Sequence, residues 1–173
     1  MAFSAKRAVA VEEVTEMLVN YSMDRNELNI LLKSLPQDEA INPVTVEYEI
    51  QLLKILSVGW GISYFMIQHP KKKELTEAFW NSIRDVSRKI SSVTSASIGK
   101  DIDYFGILKK RLDIYVKALN QNPNVTDPVH VICPIFAEFC KNKSNPHVIL
   151  AGSKAFSLSL SGVKAYLDSI EIV

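Results

Sequence analysis

Apolar residues recur along most of the chain at intervals of three and four positions, which is the period of an amphipathic helix. The pattern predicts a first helix over about residues 4–21. Asp24 and Glu27 then have the spacing of a capping box, so a short second helix is expected before Pro36, which cannot continue a helix. The apolar stripe of the first helix consists of Ala10, Val14, Met17, Leu18 and Tyr21.

The segment that follows Asn42 has the pattern of a buried helix. Asn42 suits an N-cap, and Pro43 suits the first helical position because its missing N–H is not needed there. From Ile50 onward the segment is apolar on nearly every side, which is typical of a helix packed all round. We therefore predict a central apolar helix over about residues 43–68.

Two more helices are predicted in the middle of the chain. Pro70 begins the fourth, and its apolar positions step by fours and threes. Residues 91–97 are rich in serine, so a fraying helix end and a loop are expected there. Asp101 or Asp103 caps the fifth helix, which extends to about residue 121. The stripe of the fourth helix consists of Leu75, Phe79, Ile83, Val86, Ile90 and Val93.

The last third of the chain predicts two helices. Asp127 and Pro128 repeat the arrangement of a cap followed by proline. Pro134 either kinks the sixth helix or opens it after a short extended segment over residues 129–133, and the kinked helix is the preferred interpretation. The final helix is expected over residues 146–169, with small residues between its apolar positions.

These elements predict an all-α fold. No period of 20–50 residues repeats, and no linker-like segment divides the chain. Apolar residues make up 47% and charged residues 23%, an ordinary globular balance. We expect residues 1–173 to form a single helical domain, a bundle of six or seven helices around the central apolar helix.

The charge balance bears on the class of partner. Lysine and arginine total 20 and aspartate and glutamate total 19, so the net charge is only +1. That disfavours binding of nucleic acid through bulk positive charge, and no nucleic-acid partner is expected. Acidic residues follow the clusters Lys71–Lys73 and Lys109–Arg111 closely in the sequence, and both clusters are interpreted as solvated faces.

The sequence also predicts a compartment. The N-terminal segment has too short an apolar run for a secretory signal. The longest apolar stretch, residues 55–67, is too short to span a bilayer, so no membrane span is expected. Two cysteines without a signal indicate reduced thiols and a cytoplasmic protein.

A ligand pocket is one candidate site. Two glycines beside large aromatic residues within the central helix could leave an apolar cavity for a small molecule. The competing interpretation, which is favoured, is that the glycines accept bulky side chains from a crossing helix. The candidate ligand-binding residues are Gly59, Trp60, Gly61, Tyr64 and Phe65.

Catalytic and metal chemistry have weaker support. His130 and Cys133 are weak metal candidates, with Cys140 further along, and they could also form a nucleophile pair. No CxxC, HExxH or Glu-x-x-His pattern occurs, so no catalytic residue, metal or cofactor is predicted. The remaining carboxylate groups, Glu12, Glu13, Glu16, Glu47 and Glu49, are interpreted as a solvated face.

The function expected from these features is non-enzymatic. The sequence predicts a helical-bundle protein that acts by protein–protein interaction as a homodimer, because the apolar end at residues 170–173 must pack on the bundle or meet a second subunit. The alternative is a bundle that binds a small hydrophobic ligand in a pocket near Trp60 and Tyr64.

Overall fold

The computed structural model describes residues 6–173, and helices dominate this part of the chain. The all-α prediction is confirmed, because helices cover most of the described residues and the two strands have only three residues each. The elements are β1 (Arg7–Val9), α1 (Val11–Met23), α2 (Asn26–Lys33), α3 (Pro43–Phe65), α4 (Lys72–Ile98), α5 (Tyr104–Gln121), α6 (Val129–Phe139), α7 (Pro146–Ser169) and β2 (Ile170–Ile172).

Several helix ends lie where local signals predicted them. The Asn42 side-chain oxygen accepts hydrogen bonds from the backbone N–H groups of Val44 and Thr45, at 3.0 and 3.1 Å, and so caps α3. Residues 129–133 are helical and Pro134 lies inside α6, so the helical interpretation of this segment is confirmed. Helix α7 has the predicted bounds.

Other boundaries differ from the predictions. Within the described residues, the first helix begins at Val11 rather than near residue 4, because Arg7–Val9 form a strand. Strand β1 pairs in parallel with β2, with Arg7 opposite Ile170 and Val9 opposite Ile172. The apolar C-terminal segment thus pairs with another part of the same chain. Residues 4 and 5 of the predicted helix lie outside the described residues.

Two expectations about helix ends were wrong. The serine-rich segment 91–97 does not fray, and α4 continues to Ile98. Ser91 and Ser95 instead accept backbone hydrogen bonds from Tyr104 and Ile102, which orders the connection to α5. The capping box at α2 does not form. Arg25 takes the N-cap position without a side-chain cap, and Glu27 forms an ion pair with Lys54.

Backbone contacts divide the chain into two compact units. The unit that includes both strands, here the terminal unit, consists, within the described residues, of residues 6–22, Ser57–Tyr104 and Ser159–Val173. Its core joins α1, α4 and parts of α3 and α7. Helices α1 and α4 each bury one apolar face, whereas α3 is buried on nearly every side. Fully buried members of that core include Val14, Leu18, Val58, Ile62, Leu75, Phe79 and Val163.

The second unit, here the internal unit, consists of Met23–Leu56 and Phe105–Leu158. It contains α2, α5, α6 and the remaining parts of α3 and α7. Fully buried members of its core include Leu28, Val46, Ile50, Leu108, Phe136 and Val148. The expectation of a single domain stays a prediction. None of the helices within residues 6–173 is both long enough and apolar enough to cross a membrane.

Candidate interaction surface

Gly59 and Gly61 allow close packing between helices of the terminal unit. A Cβ atom on Gly59 would overlap the indole of Trp80 on α4. A Cβ atom on Gly61 would lie 3.3 Å from Leu160 and from Val163 on α7, which is tight contact. Bulky side chains from crossing helices therefore occupy the space beside both glycines.

The aromatic residues next to these glycines form an exposed cluster. The Trp60 and Tyr64 rings stack with centroids 5.0 Å apart and planes inclined by 15°, and Phe65 meets Tyr64 edge-on at 5.3 Å. Trp60 and Phe65 are partly exposed, whereas Tyr64 is 57% and Ile67 71% exposed. We call Trp60, Tyr64, Phe65 and Ile67 the aromatic surface.

Phe65 also lines a groove at the paired chain ends, here the terminal groove. Its volume is about 450 Å³, within the size range of small-molecule sites. Its apolar lining comes from the end of α3, the turn that follows, the end of α7 and strand β2. Lys164 donates a hydrogen bond to Asp168 of this lining, which lowers the pKa of that carboxyl. The apolar lining residues are Phe65, Met66, Leu167, Ile170 and Ile172.

A buried ion pair lies in the internal unit. The Arg111 guanidinium donates from Nε and Nη2 to the two carboxylate oxygens of Glu49, at 2.9 and 2.7 Å. Glu49 is only 4% exposed, so the interpretation of this residue as part of a solvated face is wrong. Arg111 is likewise part of this pair, whereas Lys109 and Lys110 of the same cluster are exposed.

Aromatic side chains surround this pair. The Arg111 guanidinium lies 3.7 Å from the centre of the Phe139 ring, whose plane meets that of Tyr115 at 87°. The hydrogen bonds to Glu49 raise the pKa of Arg111. Burial raises the pKa of the Tyr115 phenol, and the negative charge of Glu49 adds to that effect. Arg111 of α5, which stacks on Phe139 of α6, thus holds the Glu49 carboxylate in place.

Lys54 is a second buried charge in the internal unit. Its ammonium donates to the backbone oxygen of Asp24 at 2.9 Å and lies 3.5 Å from the Glu27 carboxylate. Asp24 directly follows α1, so the lysine binds a carbonyl where the helix ends and where positive charge is favourable. These contacts account for a charged group in a core.

The His130 and Cys133 candidates do not share an environment. His130 is exposed, whereas Cys133 and Cys140 are almost fully buried. Burial raises the pKa of both thiols to about 12, with a further contribution from Asp127 at Cys133 and from Glu49 at Cys140. Metal ligation and nucleophilic attack both need the thiolate, which burial disfavours here. No cluster of three or more metal-ligating side chains occurs within residues 6–173.

Comparison with family models, with curated proteins and with solved structures finds no match to this chain. Of the sequence-predicted site residues, Trp60, Tyr64 and Phe65 lie together on a surface, whereas Gly59 and Gly61 serve helix packing. Aromatic residues are enriched at the centres of protein interfaces.

Proposed function

We propose that this chain is a non-enzymatic helical-bundle protein that acts by protein–protein interaction, and that it does so as a homodimer. The aromatic surface is the observation that carries the proposal. Tyr64 and Ile67 place large apolar area in water, and burial against a second subunit would recover roughly 25 cal/mol per Å² of that area. Tryptophan and tyrosine also dominate the binding energy of many interfaces.

The near-neutral charge supports the same proposal. A net charge of +1 gives two copies little long-range repulsion. Twofold dimers are the commonest assembly of identical chains, and their interface uses the same patch on both copies. A single aromatic surface on each chain is sufficient for such a contact.

Sedimentation velocity over a range of concentrations tests the proposal. We expect the wild type to form dimers and the Y64S/I67S variant to shift toward monomer. The matched control is I30S/V44S, which replaces two residues of the internal unit that are 70% and 73% exposed. The control should dimerise like the wild type. If Y64S/I67S dimerises equally well, the aromatic surface is not the contact.

A second candidate function has a specific observation in its favour, the terminal groove beside Phe65. A small hydrophobic ligand would contact Phe65, whose ring is coupled through Tyr64 to Trp60. Titration with fatty acids of increasing length should then shift or quench the Trp60 part of the tryptophan emission, to which Trp80 also contributes. The variant L167F narrows the groove without adding a tryptophan and should weaken the response, whereas V93S, on exposed α4 surface, should retain it. Tryptophan emission that stays unchanged across the whole series of fatty acids would exclude these ligands.

A further inference from the structure

A second groove of the terminal unit runs between α1 and α4, and we call it the α1–α4 groove. Its volume is about 530 Å³, and buried Val11 and Val19 provide apolar lining. Three carboxylates, those of Glu12, Glu16 and Glu74, also line it, and its lining includes no lysine, arginine or histidine. The groove therefore joins apolar lining to acidic side chains.

The acidic charge of this groove is only partly compensated. Lys71 forms an ion pair with Glu74 at 3.2 Å, but neither Glu12 nor Glu16 has an ion pair among residues 6–173. These two exposed carboxylates are four residues apart on one helix face, where like charges destabilise the helix. The helix dipole favours Glu12 in the first turn of α1, but Glu16 lies beyond that turn.

Helix α5 carries a surface of the opposite sign. Lys110, Ile114 and Lys117 follow one another at helical spacing, and we call them the basic stripe. Ile114 is 42% exposed, and both lysines are exposed without an ion pair in the described part of the chain. Lys109 and Asp113 lie beside the stripe with opposite charges, so this face keeps its positive charge.

We propose that the basic stripe of one copy binds in the α1–α4 groove of a second copy. Ile114 would contact the apolar lining while Lys110 and Lys117 approach Glu12 and Glu16. The dimensions agree, because at 1.5 Å per residue the stripe spans about 10 Å and the α1 side of the groove about 14 Å. This inference rests on the proposed homodimer, in which a twofold axis repeats the contact.

The aromatic surface and the α4 side of the groove lie on consecutive helices of the terminal unit. Ile67 of the aromatic surface and Glu74 of the groove are separated mainly by the turn that leads into α4. The proposed contact pairs the negative charge of the α1–α4 groove with the positive charge of the basic stripe. Reversing the charge of each surface, first separately and then in combination, therefore tests it.

The experiment compares dimer dissociation constants by sedimentation velocity. We expect the groove variant E12K/E16K and the stripe variant K110E/K117E each to raise the dissociation constant at least about tenfold, since like charges then meet. An equimolar mixture of the two variants should restore both contacts in mixed dimers. In a mixed dimer the basic groove of E12K/E16K meets the acidic stripe of K110E/K117E, and the acidic groove of K110E/K117E meets the basic stripe of E12K/E16K. The mixture should therefore associate to within about threefold of the wild type.

The control E39K/E138K makes the same change in net charge at exposed positions outside the groove, and it should dimerise like the wild type. Circular dichroism checks that every variant folds. The groove contact is overturned if the wild type dimerises and both reversal variants keep its dissociation constant, or if the mixture does not regain the affinity of the wild type. Either result leaves the proposed homodimer in place. A wild-type monomer at every concentration overturns both.

Discussion

Arg111 and Glu49 join α5 to α3 through two parallel hydrogen bonds of 2.9 and 2.7 Å, and the Glu49 carboxylate is almost inaccessible to water. Two-point pairing of this kind satisfies both oxygens of a buried carboxylate, which would otherwise be costly to keep charged. The Phe139 ring covers the guanidinium. The pair therefore fixes how the helices of the internal unit meet.

Removal of one partner should be costly. We expect E49A to lower the free energy of unfolding by about 2–4 kcal/mol, because the mutation leaves the Arg111 charge in a partly buried site without its countercharge. Arg111 retains some exposure, which limits the loss. Urea unfolding measures the change.

The double variant E49L/R111M is the comparison for that prediction. It removes both charges together and should be less destabilised than E49A. A loss of under about 0.5 kcal/mol in E49A would contradict the structural role of the pair.

A methyl group at position 59 should also destabilise the chain. Alanine gains about 1 kcal/mol of helix propensity over glycine, but overpacking of a core typically costs 1–3 kcal/mol. At Gly59 the Cβ overlaps the Trp80 indole, so we expect overpacking to dominate. At Gly61 the closest atoms are 3.3 Å away, so G61A should be near neutral.

Thermal unfolding of G59A and G61A checks that order. The midpoint of G59A should fall below that of G61A. Equal midpoints, or a higher midpoint for G59A, would contradict the packing of Trp80 against this glycine.

The buried thiols predict a loss of stability at high pH. Burial raises the pKa of Cys133 and Cys140 from the ordinary 9.0 to about 12. A raised folded-state pKa gives stability that is fully present below the unfolded-state pKa and is lost as the pH rises toward the folded-state pKa. Between about pH 9 and 12 each thiol should therefore reduce the free energy of unfolding by roughly 1 kcal/mol per pH unit.

Urea unfolding at a series of pH values measures that slope. The C133A/C140A variant lacks both thiols and should lose stability less steeply over the same range. Burial also raises the pKa of Tyr115, and Cys140 and Cys133 raise it further, so part of the difference between the two slopes arises through Tyr115. Parallel slopes for the two proteins would show that the thiols ionise as readily when folded as when unfolded.

Local signals in the sequence were enough for much of the helical fold. The Asn42 cap and the bounds of α7 depend on residues adjacent in the chain, and both agree with the structure. Strand β1 could not be found in this way, because Arg7–Val9 pair with residues more than 160 positions away. A three-residue strand has no periodicity of its own to detect.

The site was only partly predictable for a similar reason. The sequence indicated that Trp60, Tyr64 and Phe65 lie next to each other on α3. That Trp80 fills the space at Gly59 depends on how α4 crosses α3. Glu49 looked like one more surface carboxylate, since its countercharge Arg111 is 62 residues away.

Native mass spectrometry of the purified wild-type chain, set beside its denatured mass, tests the proposed homodimer most directly. The experiment measures assembly and retained ligand together. The proposal predicts a species of twice the 19.4 kDa chain mass with no added mass. A monomer that retains a small molecule would contradict it and favour a ligand in the terminal groove.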